Sequence, residues 1–114
     1  MRNTVTVQVL LVSMLMAAVL AVPVEGVAAA STHGVRIEGI DFHPHVLTVR
    51  RGDVVSWSWH DGSTPHNVKS TGALRFRSSP TKTRGTYSVR FTRRGTYRYV
   101  CTIHFNMKAR IVVK

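Results

Sequence analysis

The chain contains little cysteine and little acid, and it has no long apolar run after its first thirty residues. Cys101 is the only cysteine among 114 residues, so no internal disulfide can form. Asp and Glu number 5 against 16 Lys and Arg, which gives a formal charge of +11. This imbalance excludes a predominantly acidic surface. It leaves acidic proteins, anionic surfaces and nucleic acid as possible partners.

The first thirty residues have the features of an export signal. A positive start at Arg2 precedes an apolar run at Val9–Leu20, and the small residues Ala28–Ala30 offer a cleavage site. Polar residues dilute the run, which disfavours the alternative of a retained membrane anchor. We therefore predict a cleaved signal peptide over residues 1–30. The remainder, residues 31–114, is expected in the periplasm or outside the cell, without stable membrane insertion.

The 84 residues that remain after cleavage are sufficient for one small domain. They keep 15 of the basic residues and 4 of the acids, so the formal charge stays at +11. A core of this size is marginally stable, and a bound metal ion would be a plausible stabilising element. Because copies of equal charge repel one another, we expect a monomer.

Short β-branched and aromatic runs separated by turn residues predict an all-β domain. The clearest strands are expected at Val35–Ile40, Val46–Val49, Val54–Trp59 and Ala109–Val113. Two further runs begin with Gly-Thr-Tyr, at Gly85 and Gly95, and are interpreted as strands joined in a hairpin. Strands that recur about every ten residues, with no helical periodicity, predict a β-sandwich or barrel.

Three residues with metal-binding side chains recur at intervals of three near the C-terminus. Cys101, His104 and Met107 follow the end of a predicted strand, and a curled loop would bring their side chains together. His66, which follows a loop rich in turn residues, is the best-placed fourth candidate and is expected to begin a strand. Taken singly, each is more often a core or surface residue. Their combination in an exported β-domain favours a metal site.

The types of side chain in this set favour copper over zinc. One thiolate and two imidazoles suit copper, and a thioether can complete the site as a weak axial ligand. Structural zinc usually has two or more thiolates, and catalytic zinc keeps a water molecule, so a methionine has little use in either. A site that suits both oxidation states of copper is suited to electron transfer.

The motifs around these residues resemble those of the cupredoxins, the type I or blue copper proteins. Phe42-x-Pro44, Val49-x-x-Gly52-Asp53-x-Val55-x-Trp57 and Pro65-His66-Asn67-Val68 follow the family pattern in order, as does the run from Phe91 to His104. The Cys-x-x-His-x-x-Met spacing is similar to the amicyanin branch of the plastocyanin-like proteins. The family often has a proline where this chain has Ile103, a departure that removes no ligand.

The resemblance implies a Greek-key β-sandwich that binds one copper ion and is not an enzyme. It implies His66, Cys101, His104 and Met107 as copper ligands, with single electrons carried between redox partners. It also implies that electrons pass through His104, within an apolar patch for which Pro65, Ile103 and Phe105 are candidates. Asn67 is interpreted as a brace for the Cys101 loop or as an ordinary turn residue.

Two other functions remain open at this stage. A copper carrier or buffer would use the same ligands, although such proteins tend to have several methionines and residues 31–114 contain only Met107. A nucleic-acid-binding barrel would use the positive charge and the aromatic residues as stacking platforms. Those aromatics alternate as core residues do, so we predict no nucleic acid partner. The expected partner is an acidic redox protein that donates or accepts electrons.

Overall fold

The computed structural model describes residues 2–5, 13, 15–21 and 29–114. Most of the predicted signal peptide lies outside these residues, so its extent and its cleavage stay predictions. Within the described part no helix is long and apolar enough to cross a membrane. The eight described strands are β1 (Thr32–Ile37), β2 (Phe42–His43), β3 (Val46–Val49), β4 (Val54–Trp59), β5 (Lys69–Thr71), β6 (Thr86–Arg90), β7 (Gly95–Val100) and β8 (Lys108–Val113).

The strands form two four-stranded sheets that together make a sandwich, as predicted. The first sheet has the order β2-β1-β4-β6 and the second has the order β3-β8-β7-β5. Each sheet is mixed: β1 and β4 pair in parallel in the first, and β3 and β8 pair in parallel in the second. Every other pair is antiparallel.

The core lies between the sheets and combines Val and Ile side chains with a cluster of aromatic rings. Strand alternation sends every second side chain inward, as in β4, where Val55, Trp57 and Trp59 are buried. Trp57 lies edge-on to Tyr99 with ring centroids 5.4 Å apart and stacks on Phe76 at 5.6 Å. The large rings of both sheets therefore fill the space that a domain of this size must close.

The hairpin prediction for the two Gly-Thr-Tyr runs is wrong. Strand β6 pairs with β4 in the first sheet, whereas β7 pairs with β5 and β8 in the second. The linker between them crosses the sandwich, and it does so because Phe91 is 2% exposed and packs between the sheets. Alternation alone identifies a strand but does not identify its neighbour.

Two strand boundaries also differ from the sequence-based expectation. Strand β1 ends at Ile37 and not at Ile40, because Gly39 and Ile40 have φ values of 61° and 55° that interrupt the extended chain. His66 does not begin a strand. It forms an isolated antiparallel bridge with Lys82, and the next strand begins at Lys69.

Candidate metal centre

The structure brings three of the predicted ligands together at one end of the sandwich. Donor atoms of His66, Cys101 and His104 all lie within 4.8 Å of one another. The Cys101 Sγ lies 3.9 Å from the Nδ1 of His66, and the His66 and His104 ring centroids are 4.7 Å apart. Among the described residues this is the only group of three or more His, Cys, Asp or Glu side chains placed to hold a metal ion.

His66 is held rigidly although it lies outside the regular strands. Its backbone N–H donates to the Lys82 carbonyl at 2.9 Å, and its own carbonyl accepts from the Lys82 N–H at 2.9 Å. The same carbonyl accepts a 3.0 Å hydrogen bond from the indole N–H of Trp59. His66 is completely buried, so the imidazole has one position within the core.

In both histidine rings a hydrogen bond at Nε2 leaves Nδ1 free to act as a ligand. The Nε2 of His104 lies 3.0 Å from the Pro65 carbonyl, which can only accept, so this Nε2 carries the proton. The Nε2 of His66 lies 2.8 Å from the Asp61 carboxylate. In both rings the neutral form then presents Nδ1 as the unprotonated nitrogen, as a metal site requires.

The carboxylate of Asp61 connects the His66 side chain to the loop between β1 and β2. The sequence alone did not predict this role. Its carboxylate also accepts from the backbone N–H groups of Gly39 and Ile40, at 3.1 Å and 2.9 Å. The Ile40 N–H, the His66 imidazole and the Gly39 N–H hold the pKa of Asp61 below its ordinary value. Its sequence signals were its place in the family pattern that the chain resembles and its position five residues before a candidate ligand.

The loop between β7 and β8 folds back so that its two ends meet. The Cys101 N–H donates to the Met107 carbonyl at 2.9 Å, and the Met107 N–H donates to the His104 carbonyl at 3.4 Å. Asn106 adopts a φ of 62°, a conformation that asparagine tolerates better than most residues. Met107 is 2% exposed and lines the same depression as Cys101 and His104.

Asn67 fastens this loop to the segment that carries His66. Its Oδ1 accepts from the Thr102 N–H at 3.0 Å, and its Nδ2 donates to the Thr102 hydroxyl at 2.8 Å. A third bond from Nδ2 reaches the Thr81 hydroxyl at 3.2 Å. Of the two interpretations of Asn67, the brace is confirmed.

Exposed apolar side chains lie next to the half-buried His104, which lines one depression with Ile103 and Phe105 and is bonded to Pro65. Phe105 is 95% exposed and Ile103 is 45% exposed, and Pro65 is also exposed beside them. Phe105 is therefore a surface residue and not part of the core. The patch expected around His104 is present.

The set of side chains fits a copper ion better than a zinc ion. One thiol, two imidazoles with free Nδ1 atoms and one adjacent thioether are gathered in a mostly buried pocket. These are the donors that suit copper in a trigonal plane with a weak axial sulfur. A second thiolate, which structural zinc usually requires, is not available in this chain because Cys101 is its only cysteine.

Comparison with known protein families agrees with this geometry. A family model described as copper binding proteins, plastocyanin/azurin family, matches residues 29–114. Amicyanin-alpha of Methylorubrum extorquens is 32% identical over 97 residues, which cover 76% of this chain and 76% of that protein. Amicyanin of Paracoccus denitrificans is 36% identical over 72 residues, which cover 60% of this chain and 54% of that protein.

Solved structures show the same fold. A copper(I) amicyanin variant is 32% identical, with a TM-score of 0.63 over 79% of this chain and 87% of that chain. A purple cupredoxin from Nitrosopumilus maritimus has a TM-score of 0.64 at 23% identity, a likeness of fold alone. A copper-containing nitrite reductase from Thermus scotoductus has a TM-score of 0.66, but this chain covers only 22% of it.

Proposed function

Because the chain belongs to the plastocyanin/azurin family of copper-binding proteins and its cofactor is copper, we propose that it is an exported carrier of single electrons. The observation that carries this proposal is the convergence of His66, Cys101 and His104 within 4.8 Å. When bound there, copper supplies one-electron chemistry by alternating between Cu(I) and Cu(II). The chain carries electrons for other proteins and is proposed to have no enzymatic activity of its own.

We assign four residues as the copper ligands. The thiolate of Cys101, the Nδ1 atoms of His66 and His104 and the Met107 thioether would hold the ion, a set of donors that suits both oxidation states of copper. Cys101, His66 and Met107 are each less than 5% exposed, so they exclude water from the centre. Electron transfer is favoured when the site changes little between the two oxidation states. The bonds of Asn67 and Asp61 hold the protein part of that site in place.

His104 is proposed as the point where electrons enter and leave. It is the most exposed of the three clustered ligands, and the apolar side chains of Ile103 and Phe105 surround it. A partner that covers this patch would exclude water from the gap between the two redox centres. The contact can be small, as is usual for brief electron-transfer encounters.

The partner and the location are proposed from charge and from the relatives. A formal charge of +11 favours an acidic redox partner and opposes association between copies of the chain, so we propose a monomer. Similarity to amicyanins supports a periplasmic or extracellular location after removal of residues 1–30. The nucleic-acid alternative has lost its support, because Trp57, Trp59, Tyr97 and Tyr99 are buried.

A copper carrier or buffer without a redox partner remains the second candidate function, since it would use the same ligands. The two differ in how fast the ion leaves. A site that is buried and braced by hydrogen bonds is suited to retaining copper through many redox cycles. A carrier must release it.

Visible spectroscopy of the purified protein tests the proposal. Addition of one equivalent of Cu(II) should give an intense blue colour that ascorbate removes and oxidation restores over repeated cycles. Competition with a copper chelator should extract the ion slowly. A colourless Cu(II) complex would refute the type I assignment, and rapid extraction to the chelator would favour the carrier function.

A further inference from the structure

The outer faces of the two sheets differ in the type of side chain they present. In the first sheet the central outward row is Gly34, Ser56 and Ser88, which are small and uncharged. The flanking arginines of that face are engaged: Arg36 pairs with Glu38 at 3.2 Å, and Arg90 donates to the Gly52 carbonyl at 2.8 Å. This face therefore presents few free charges.

The outer face of the second sheet carries unpaired cations at its centre. Arg98 of β7 lies directly opposite Arg110 of β8, and Val100, two residues further along β7, lies between Lys69 and Lys108. All four cationic residues are exposed. None of their side chains takes part in a hydrogen bond or ion pair among residues 29–114 and the other described positions.

Two like charges facing each other across a strand pair destabilise a sheet. In a chain with only five acids, the Arg98–Arg110 pair is a local cost to folding, and no described residue makes a compensating contact with it. An anionic group bound between the two strands would remove that repulsion. The arrangement therefore favours an anionic partner at this place.

The same face continues into the surface of the candidate metal centre. Arg98, Lys108 and Arg110 line an open groove together with the exposed side chains of Phe105 and Val46. Phe105 follows the ligand His104, and Lys108 follows the ligand Met107. A molecule seated in this groove would lie against the ligand loop. The one acid in the groove, Asp41, is already bonded to His45 at 2.8 Å.

The groove suits an acidic protein better than a nucleic acid. Single-stranded nucleic acids bind by stacking several bases on exposed aromatic rings, and Phe105 is the only strongly exposed aromatic side chain among the described residues. Aliphatic side chains supply the remaining apolar surface, with Ile40 at 51% and Val46 at 45% exposed. Contacts between proteins are enriched in aromatic residues and arginine, and this groove presents Phe105, Arg98 and Arg110.

We propose that the outer face of the β3-β8-β7-β5 sheet, centred on Arg98 and Arg110, is the docking surface for an acidic partner protein. This proposal rests on the proposed electron-carrier function, because it identifies the surface through which the partner reaches His104. Carboxylates of the partner lie between Arg98 and Arg110, and an apolar part of it covers Phe105. The outer face of the other sheet stays free.

Titration of the protein loaded with diamagnetic Cu(I) with poly-L-glutamate tests the location by amide chemical shifts. The shifts should change along β7 and β8 and around Phe105, and not along β4 and β6. Arg98→Glu should weaken binding by at least about fivefold. The matched control, Arg90→Glu on the other face, changes the net charge equally and should weaken it by less than about twofold.

Thermal unfolding separates a docking role from a structural one. Arg98→Glu places an acid opposite Arg110, so its melting temperature should equal or exceed that of the unaltered protein while its affinity for poly-L-glutamate falls. Equal loss of affinity in the Arg98 and Arg90 variants would overturn the proposed location. Tighter binding of an oligothymidylate than of poly-L-glutamate would overturn the acidic-protein assignment.

The visible spectrum is recorded on the same samples after oxidation to Cu(II). If the protein fails to turn blue, the electron-carrier function is refuted. The chemical shifts then still show whether an acidic chain binds to this face. A blue protein whose chemical shifts change elsewhere refutes the docking surface alone.

Discussion

At the scale of single residues, the assigned ligands make different contributions to the colour and to the potential. Cys101→Ser removes the thiolate and should abolish the blue absorption. Met107→Leu removes only the proposed axial donor, so the site should stay coloured and its reduction potential should rise. Absorption spectra and redox titration of the two variants check this, and a blue Cys101→Ser protein would contradict the ligand assignment.

Asn67 offers a second test at the same scale. Asn67→Ala loses two hydrogen bonds to Thr102, which join the His66 segment to the ligand loop, and a third to Thr81. The free energy of unfolding should fall by about 1–3 kcal/mol, because the Thr102 N–H also loses its acceptor. Thr81→Ala removes only the longest of the three bonds and should cost about 0.5 kcal/mol. Denaturant titrations compare the two, and equal losses would argue against the brace.

At the scale of secondary-structure elements, Gly95 is required where β7 begins. Its φ of 141° strains any other residue, and a Cβ at this position would collide with the Leu74 side chain. Gly95→Ala should therefore destabilise the fold by about 2–4 kcal/mol. Gly34→Ala in β1 is the control, since a Cβ there meets nothing within 4 Å. Similar melting temperatures for the two variants would contradict this.

The start of β1 is tied to the β3–β4 turn through Asp53, and this gives a pH dependence. The Ser31 and Arg50 N–H groups and the His33 imidazole lower the pKa of Asp53 to about 2 in the folded state. In the unfolded chain the pKa of an aspartate is about 3.9. The contribution of Asp53 to stability is thus fully present above about pH 4 and is lost as the pH falls towards about 2.

Acid unfolding of the Asp53→Asn variant checks this dependence. The variant should be less stable than the unaltered protein at pH 6, and its stability should fall less steeply between about pH 4 and about pH 2. Glu38→Gln, which alters an exposed acid at the other end of β1, should leave the slope unchanged. An unchanged slope in Asp53→Asn would show that this carboxylate is not linked to folding.

The positions of the strands in the sequence were predicted more successfully than the pairing of the strands within the sheets. The runs Val46–Val49 and Val54–Trp59 were located to the residue, because alternation and flanking turns are local signals. The separation of β6 from β7 was missed, since it depends on where Phe91 packs. Strand β2, with only two residues, is too short for any periodicity.

In the candidate metal centre, too, residues close together in the sequence were easier to predict than contacts that form only on folding. The spacing of Cys101, His104 and Met107 predicted that they would lie in one loop, and His66 was predicted to join them although 35 residues separate it from Cys101. The role of Asp61 could not be predicted. It depends on the turn at Gly39 and Ile40, which the first sheet brings near His66 only after folding.

At the scale of the whole molecule, the positive charge should control how fast partners meet. The rate of electron transfer to the acidic partner should fall steeply with salt, because the screening length shrinks from ~30 Å at 0.01 M to ~8 Å at 0.15 M. Lys69→Glu and Lys108→Glu should slow association more than Arg84→Glu, because Arg84 lies farther along the chain from the proposed ligands. Stopped-flow rates that hardly respond to salt would indicate that the charge serves another purpose.

The parallel pairing of β3 with β8 also fixes an order of assembly during synthesis. In the part of the chain that the structure describes, strand β3 lies at a sheet edge and pairs only with β8, so residues 46–49 wait for residues 108–113 before they can pair. Until β8 is made, β7 also lacks one of its two neighbours. The complete second sheet therefore cannot form on a nascent chain that stops short of Lys108. Until then the backbone N–H and C=O groups of β3 stay unpaired and are open to pairing with another chain.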